Sequence, residues 1–160
     1  MTERYSDAYA AAHGRFAVIP AVYVLLRHGD EVLLQLRAST GYYDGHWAAG
    51  AAGHVEQGES LLQAAVREVS EELGVGVAVG DLEFLTLEHR TGGGAAIDER
   101  IDVFFGCRTW DGTPALQEDK ASDLRWFALS ALPDPVVPHE RIVLEQWAGG
   151  GLAPITPIGF

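Results

Sequence analysis

Residues Gly53 to Val75 read GHVEQGESLLQAAVREVSEELGV. Ser60 followed three residues later by Gln63 is a capping-box pattern, which predicts a helix starting near Ser60. Gly74 stands where a left-handed residue would stop that helix. Between them Leu62, Val66, Val69 and Leu73 recur at spacings of four, three and four, the apolar stripe of a helix packed on a core. Glu68, Glu71 and Glu72 fall within an arc of roughly 100° to one side of that stripe. Like charges at three and four residues apart oppose a helix, and so do carboxylates in its last turn. A divalent cation held between them offsets both effects, because hard ions such as Mg²⁺ take carboxylate oxygens and keep waters for phosphate. Three glutamates alone also suit a solvated face of an acidic protein.

The whole string decides between these readings. It fits G-x5-E-x7-R-E-U-x-E-E-x-G-U, with U aliphatic, at Gly53, Glu59, Arg67, Glu68, Val69, Glu71, Glu72, Gly74 and Val75. With ordinary residue usage a chance match has a probability below about 10⁻⁸ per starting position. The segment resembles the Nudix box, the signature of the Nudix hydrolases. That resemblance implies an α/β/α sandwich with a mixed β-sheet. It implies that Glu68, Glu71 and Glu72 hold Mg²⁺ or Mn²⁺, joined by the carbonyl of Ala52, where a glycine is more usual. It gives Arg67 the task of fixing a neighbouring carboxylate, and gives Gly53, Glu59 and Gly74 structural tasks, Glu59 tying the loop to the helix. The expected reaction is hydrolysis of a phosphoanhydride in a nucleoside diphosphate joined to another group. The base is a box glutamate, Glu68 or Glu71, or an acid of a later loop, where QEDKASDLRWF offers Glu118 ahead of Asp119.

Outward from the box, Phe16 to Leu26 and Val32 to Leu36 read as antiparallel strands around the turn HGDE. Arg37 closes the second strand, either as a surface charge or as a planar guanidinium for a substrate phosphate. STGYYDGHWAAGAAG, residues 39 to 53, reads as a loop whose small residues let the backbone approach a ligand. His46 and His54 read as packing or surface residues, and Trp47 as core. Leu82 to Glu88 and Ile101 to Arg108 read as strands. The glycine-bearing loop between them is a candidate substrate lid flanked by Arg90 and Arg100, each a phosphate contact or a solvated charge. Arg100, with Arg37, is taken as substrate-binding. Leu124, Trp126 and Phe127 mark a last strand, and His139 to Trp147 a closing helix. The chain thus divides into an arm (1–14), a hydrolase domain (15–148) and a Gly/Pro-rich tail (149–160).

The 160 residues suffice for one domain with a proper core. A formal net charge of -12 and the lack of a basic run oppose a broad nucleic-acid footprint, and with it an mRNA-cap hydrolase. A small nucleotide-type substrate remains the expected partner, with a homodimer through the apolar tail a further expectation. The single cysteine, Cys107, sits in the apolar run FFGC and reads as a buried structural thiol. There is no signal pattern and no apolar run of about 18 residues, so the chain reads as cytoplasmic, with no membrane partner. Two other classes compete. A nucleotide-metabolite sensor of the same fold needs no intact Glu68, Glu71 and Glu72. A prenyl diphosphate isomerase needs an acid–base pair, usually with a cysteine, for which Cys107 is poorly placed.

Overall fold

The computed structural model describes residues 5–14, 16–92 and 98–160. After a short helix α1 (Tyr5–His13), the hairpin forms as read: β1 (Ile19–His28) and β2 (Glu31–Arg37) pair across a turn where Gly29 takes a φ of 58°. The 39–53 loop is not all loop. Trp47–Ala49 (β3) pairs with β2, and Ala51–His54 (β4) pairs with the first half of β1. Alanine and glycine have little strand preference. Their small size lets them lie flat beneath the next helix, where Gly50 leaves 3.3 Å between an added Cβ and both Leu33 O and Leu73 Cδ1.

Helix α2 (Leu61–Leu73) has Ser60 as N-cap with both halves of the capping box made, and Gly74 as C-cap at φ 68°. Strands β5 (Leu82–Arg90), β6 (Arg100–Cys107) and β7 (Ala121–Ala128) follow, then helix α3 (Pro138–Ala148). The centre of the proposed lid, 93–97, lies outside the described residues. The main path through the mixed sheet runs β3-β2-β1-β6-β5, then a further strand beside β5 (β8, Ile155–Ile158), with β7 on β2. β1 and β6 are parallel, and β5 and β6 antiparallel.

The final strand, β8 (Ile155–Ile158), lies in what the sequence marks as a tail. It runs parallel to β5, Leu87 opposite Ile155 through Arg90 opposite Ile158. Thr86 Oγ1 donates to Ala153 O at 2.6 Å just before it. Pro157 removes a donor, which an edge strand tolerates.

Successive residues of β1 serve opposite faces. Val22, Val24 and Leu26 pack with Val69, Leu73 and Phe105 under α2. Tyr23 and Leu25 pack with Phe104, Val143, Leu144 and Trp147 under α3. The sheet is therefore sandwiched between the two helices. No helix among the described residues is long and apolar enough to cross a membrane.

Candidate active site

The box acids are placed by α2 and by what docks against it. Arg67 is their hub. Its Nε and Nη2 donate to the two oxygens of Glu59 at 2.8 and 2.9 Å, a forked pair that holds the Glu59 carboxyl down to about 2. Its Nη1 donates to Glu68 Oε1 at 2.6 Å and Glu71 Oε2 at 3.1 Å, and Nη2 also reaches His54 O at 3.1 Å. The loop, β4 and the helix are thus tied through one guanidinium. Gly53 is required by proximity: a Cβ there would overlap the Glu68 carboxylate.

Glu68 and Glu72 are buried, while the Glu71 side chain is half exposed. Glu72 Oε2 accepts from Ala52 N at 3.0 Å and from Gln35 Nε2 at 3.4 Å. Burial, and then the Glu68 charge, push the Glu72 carboxyl up to about 7 against the pull of the Ala52 N–H. The chain after Trp110 reaches this end of the helix because Ala115 N and Gln117 N donate to Leu73 O and Glu72 O, at 3.0 and 3.1 Å. These are carbonyls the helix leaves open. Glu118 follows, ion-paired to Lys120 at 2.8 Å, and both are close enough to act on the charge of Glu72.

Beside Gly53 opens a cavity of about 220 Å³ lined by Arg37, Arg90, Arg100, His54, Tyr42 and Glu140 among others. Arg37 is held by Tyr42 O (2.8 Å) and Thr40 Oγ1 (3.1 Å) with its guanidinium over the Tyr42 ring, and Arg100 donates to His54 Nε2 at 3.1 Å. Neither has a carboxylate partner among the described residues. Both expected substrate residues therefore line one cavity, and His54, read as packing or surface, joins them. Arg90 is not a solvated charge: it forms a very short ion pair with buried Asp102.

Residues with chemistry to which the sequence reading gave no role in the site line this cavity or pack beside it. Glu88, Asp102, His139 and Glu140 are all buried. Glu140 Oε2 accepts from Ala49 N at 2.5 Å. Burial raises Glu88 to about 8 and Glu140 to about 7, and lowers His139 to about 3. The available signal was parity: Glu88 and Asp102 sit directly opposite each other in apolar strands, on the face that Phe104 buries.

These values fix a pH dependence. Glu72, Glu88 and Glu140 bind protons more tightly folded than unfolded. Their support for folding is complete below about 4.5 and is lost as pH rises through 7 to 8. His139 does the reverse, losing its support as pH falls from 6.5 toward 3. Burial raises Asp102 as well, so the raised carboxyls outnumber His139, and metal-free protein should melt higher at pH 5.5 than at pH 8.5, by on the order of 5–10 °C. A melting temperature that climbs across that interval in EDTA contradicts the assignment.

The NUDIX domain family matches residues 18–147. The chain belongs to the NUDIX family. Among its relatives, the NAD-capped RNA hydrolase NudC of Pseudomonas aeruginosa is 38% identical over 127 residues, which are 79% of this chain but 41% of that protein. The chain thus spans less than half the length of that relative. The isopentenyl-diphosphate Delta-isomerase of Jannaschia sp. is 32% identical over 135 residues, 78% of this chain and 75% of that protein. The crystal structure of the MutT NUDIX hydrolase from Burkholderia pseudomallei superposes with a TM-score of 0.73 at 26% identity, covering 81% of this NUDIX chain and 98% of the other.

Proposed function

We propose that this NUDIX protein hydrolyses a phosphoanhydride bond in a nucleoside diphosphate joined to another moiety, using Mg²⁺ or Mn²⁺ at Glu68, Glu71 and Glu72. The observation that carries this reading is the convergence of the buried Glu68 and Glu72 carboxylates on the Ala52–Gly53 backbone beside an arginine-lined cavity. The donor set fits the ion. The protein's own bonds go to Oε1 of Glu68, Oε2 of Glu71 and Oε2 of Glu72, and a hard cation would take the remaining oxygens. Such an ion supplies phosphate neutralisation and a lowered pKa for water when bound. The Ala52 carbonyl is a further candidate ligand.

The chain's own residues do the rest. Arg67 holds Glu68 and Glu71 in place. Glu68, Glu71 and Glu118 are the candidate bases, Glu118 being ion-paired to Lys120 at 2.8 Å. Arg37 and Arg100 take the phosphate that faces the cavity. Hydrogen bonds to charged groups contribute about 1.5–3 kcal/mol. Arg37→Ala and Arg100→Ala should therefore each raise KM by roughly 10- to 100-fold with a smaller change in kcat. An unchanged KM in both variants removes them from the substrate site.

Isomerisation in the manner of the Jannaschia relative is disfavoured by Cys107. It is fully buried and donates to Thr109 O at 3.0 Å. It also stands seven residues along β6 from Arg100, roughly 23 Å away. We further propose a small nucleotide conjugate over a capped RNA, since a net charge of -12 repels a long polyanion. A reducing, cytoplasmic setting suits a lone buried thiol, and a homodimer is the proposed assembly. The deciding experiment offers nucleoside triphosphates, NAD, ADP-ribose, nucleotide sugars, NAD-capped RNA and isopentenyl diphosphate with Mg²⁺ or Mn²⁺. Phosphate-bearing products from a nucleotide conjugate are expected. Turnover of isopentenyl diphosphate alone overturns the proposal.

A further inference from the structure

The face of the sheet under α3 carries a polar group for which the box has no use. Glu88 and Asp102 are cross-strand partners on β5 and β6, and His139 descends from the first turn of α3. One ligand atom from each lies within 4.8 Å of the others. Glu88 and Asp102 have no exposed surface and His139 is 6% exposed. Among the described residues neither oxygen of Glu88 has a hydrogen-bond partner, and Oδ1 of Asp102 has none. Arg90 engages the other oxygen, Oδ2. Tyr23 closes the group, its hydroxyl 3.2 Å from His139 Nε2.

Two buried carboxylates face one contacting cation, Arg90. An uncompensated buried charge costs several kcal/mol, so something must neutralise the second. A shared proton satisfies at most one oxygen as a donor and leaves the others bare. A divalent cation takes all three kinds of atom together. Tetrahedral ligand atoms at about 2.1 Å from an ion sit about 3.4 Å apart. The three atoms, within 4.8 Å of one another, therefore close on an ion through side-chain shifts of up to about 1 Å and a turn of the Tyr23 hydroxyl.

We infer that Glu88, Asp102 and His139 form a second cation site, separate from the box and suited to Mn²⁺ or Zn²⁺. The imidazole nitrogen sets the preference, because Mg²⁺ and Ca²⁺ favour all-oxygen shells. The ion pins the first turn of α3 to β5 and β6. Through Arg90, Tyr23 and Glu140 it also fixes one wall of the arginine-lined cavity.

The test separates this site from the proposed catalytic one. A Glu68→Gln/Glu71→Gln/Glu72→Gln protein, stripped with chelator and dialysed against Mn²⁺ or Zn²⁺, should retain about one equivalent and melt at a higher temperature than its metal-free form. Equal Mg²⁺ should not displace the ion. Adding Glu88→Gln, or separately His139→Asn, should weaken retention by about 10-fold or more. No Mn²⁺ or Zn²⁺ taken up by the box variant overturns the inference, as does uptake insensitive to both added changes. If one added variant fails to fold by circular dichroism, the other and the parent titration still decide. Since the readout is bound metal in a protein with a disabled box, failure here leaves the hydrolase reading standing.

Discussion

Glu72→Gln should lower kcat by at least about 100-fold while raising the melting temperature of the metal-free protein at pH 8. Both halves follow from one environment. The Glu72 carboxyl is buried, faces Glu68, and is pushed up to about 7. Above that pH the wild type holds a desolvated charge with the Ala52 N–H, a long Gln35 contact and the more distant Lys120 charge to compensate. Glutamine keeps the shape and can still accept from Ala52, so the fold is relieved of that charge. The metal site loses a charged oxygen and with it the ability to concentrate positive charge against phosphate. Glu71→Gln should lose activity comparably without the gain in stability, because Glu71 is half exposed. Full turnover by both variants would show that the box has no catalytic part here, and a lower melting temperature for Glu72→Gln would show that the buried charge is not the unfavourable element.

Gly53→Ala should fold and yet bind metal at least about 10-fold more weakly. The added methyl would occupy the space of the Glu68 carboxylate. That carboxylate ends a flexible side chain and can swing aside at modest cost to stability. Moving it breaks the 2.6 Å bond from Arg67 Nη1, which in turn loosens Glu71. Mn²⁺ titration with a melting curve on the same sample distinguishes the outcomes. A loss of fold with metal affinity intact would mean Gly53 serves packing alone.

What the sequence made legible was whatever is encoded locally. Helix α2 announces its start and its end within fifteen residues, and Ser60 and Gly74 adopt the cap conformations that pattern demands. Of the expected apolar stripe, however, only Val69 and Leu73 are buried. Leu62 is exposed, and Ala64, Ala65, Glu68 and Glu72 take the buried side because the helix turns its small residues and box acids onto the sheet. The β1–β2 hairpin is equally local. β3 and β4 were not legible because Ala-Ala-Gly-Ala-Ala-Gly carries no strand signal; those residues pair only because α2 and β1 leave room for nothing larger. The box acids were readable as a set, whereas their link to Glu118 depends on Ala115 and Gln117 docking on open helix carbonyls, a contact between distant segments. The pair Glu88 and Asp102 shows the same limit. Each looks like an ordinary charge at the end of a strand until β5 and β6 are set side by side.

The pairing of β8 with β5 has a consequence for how the molecule avoids sticking to its own kind. A chain ending at Gly149 would leave the flank of Leu87 to Arg90 with bare amide and carbonyl groups, an invitation to stack strand on strand. The last residues close that flank, and Pro157 blunts the new one by withholding an amide. His89 packs against the ring of Phe160 at 4.5 Å, a further fastening just beyond β8.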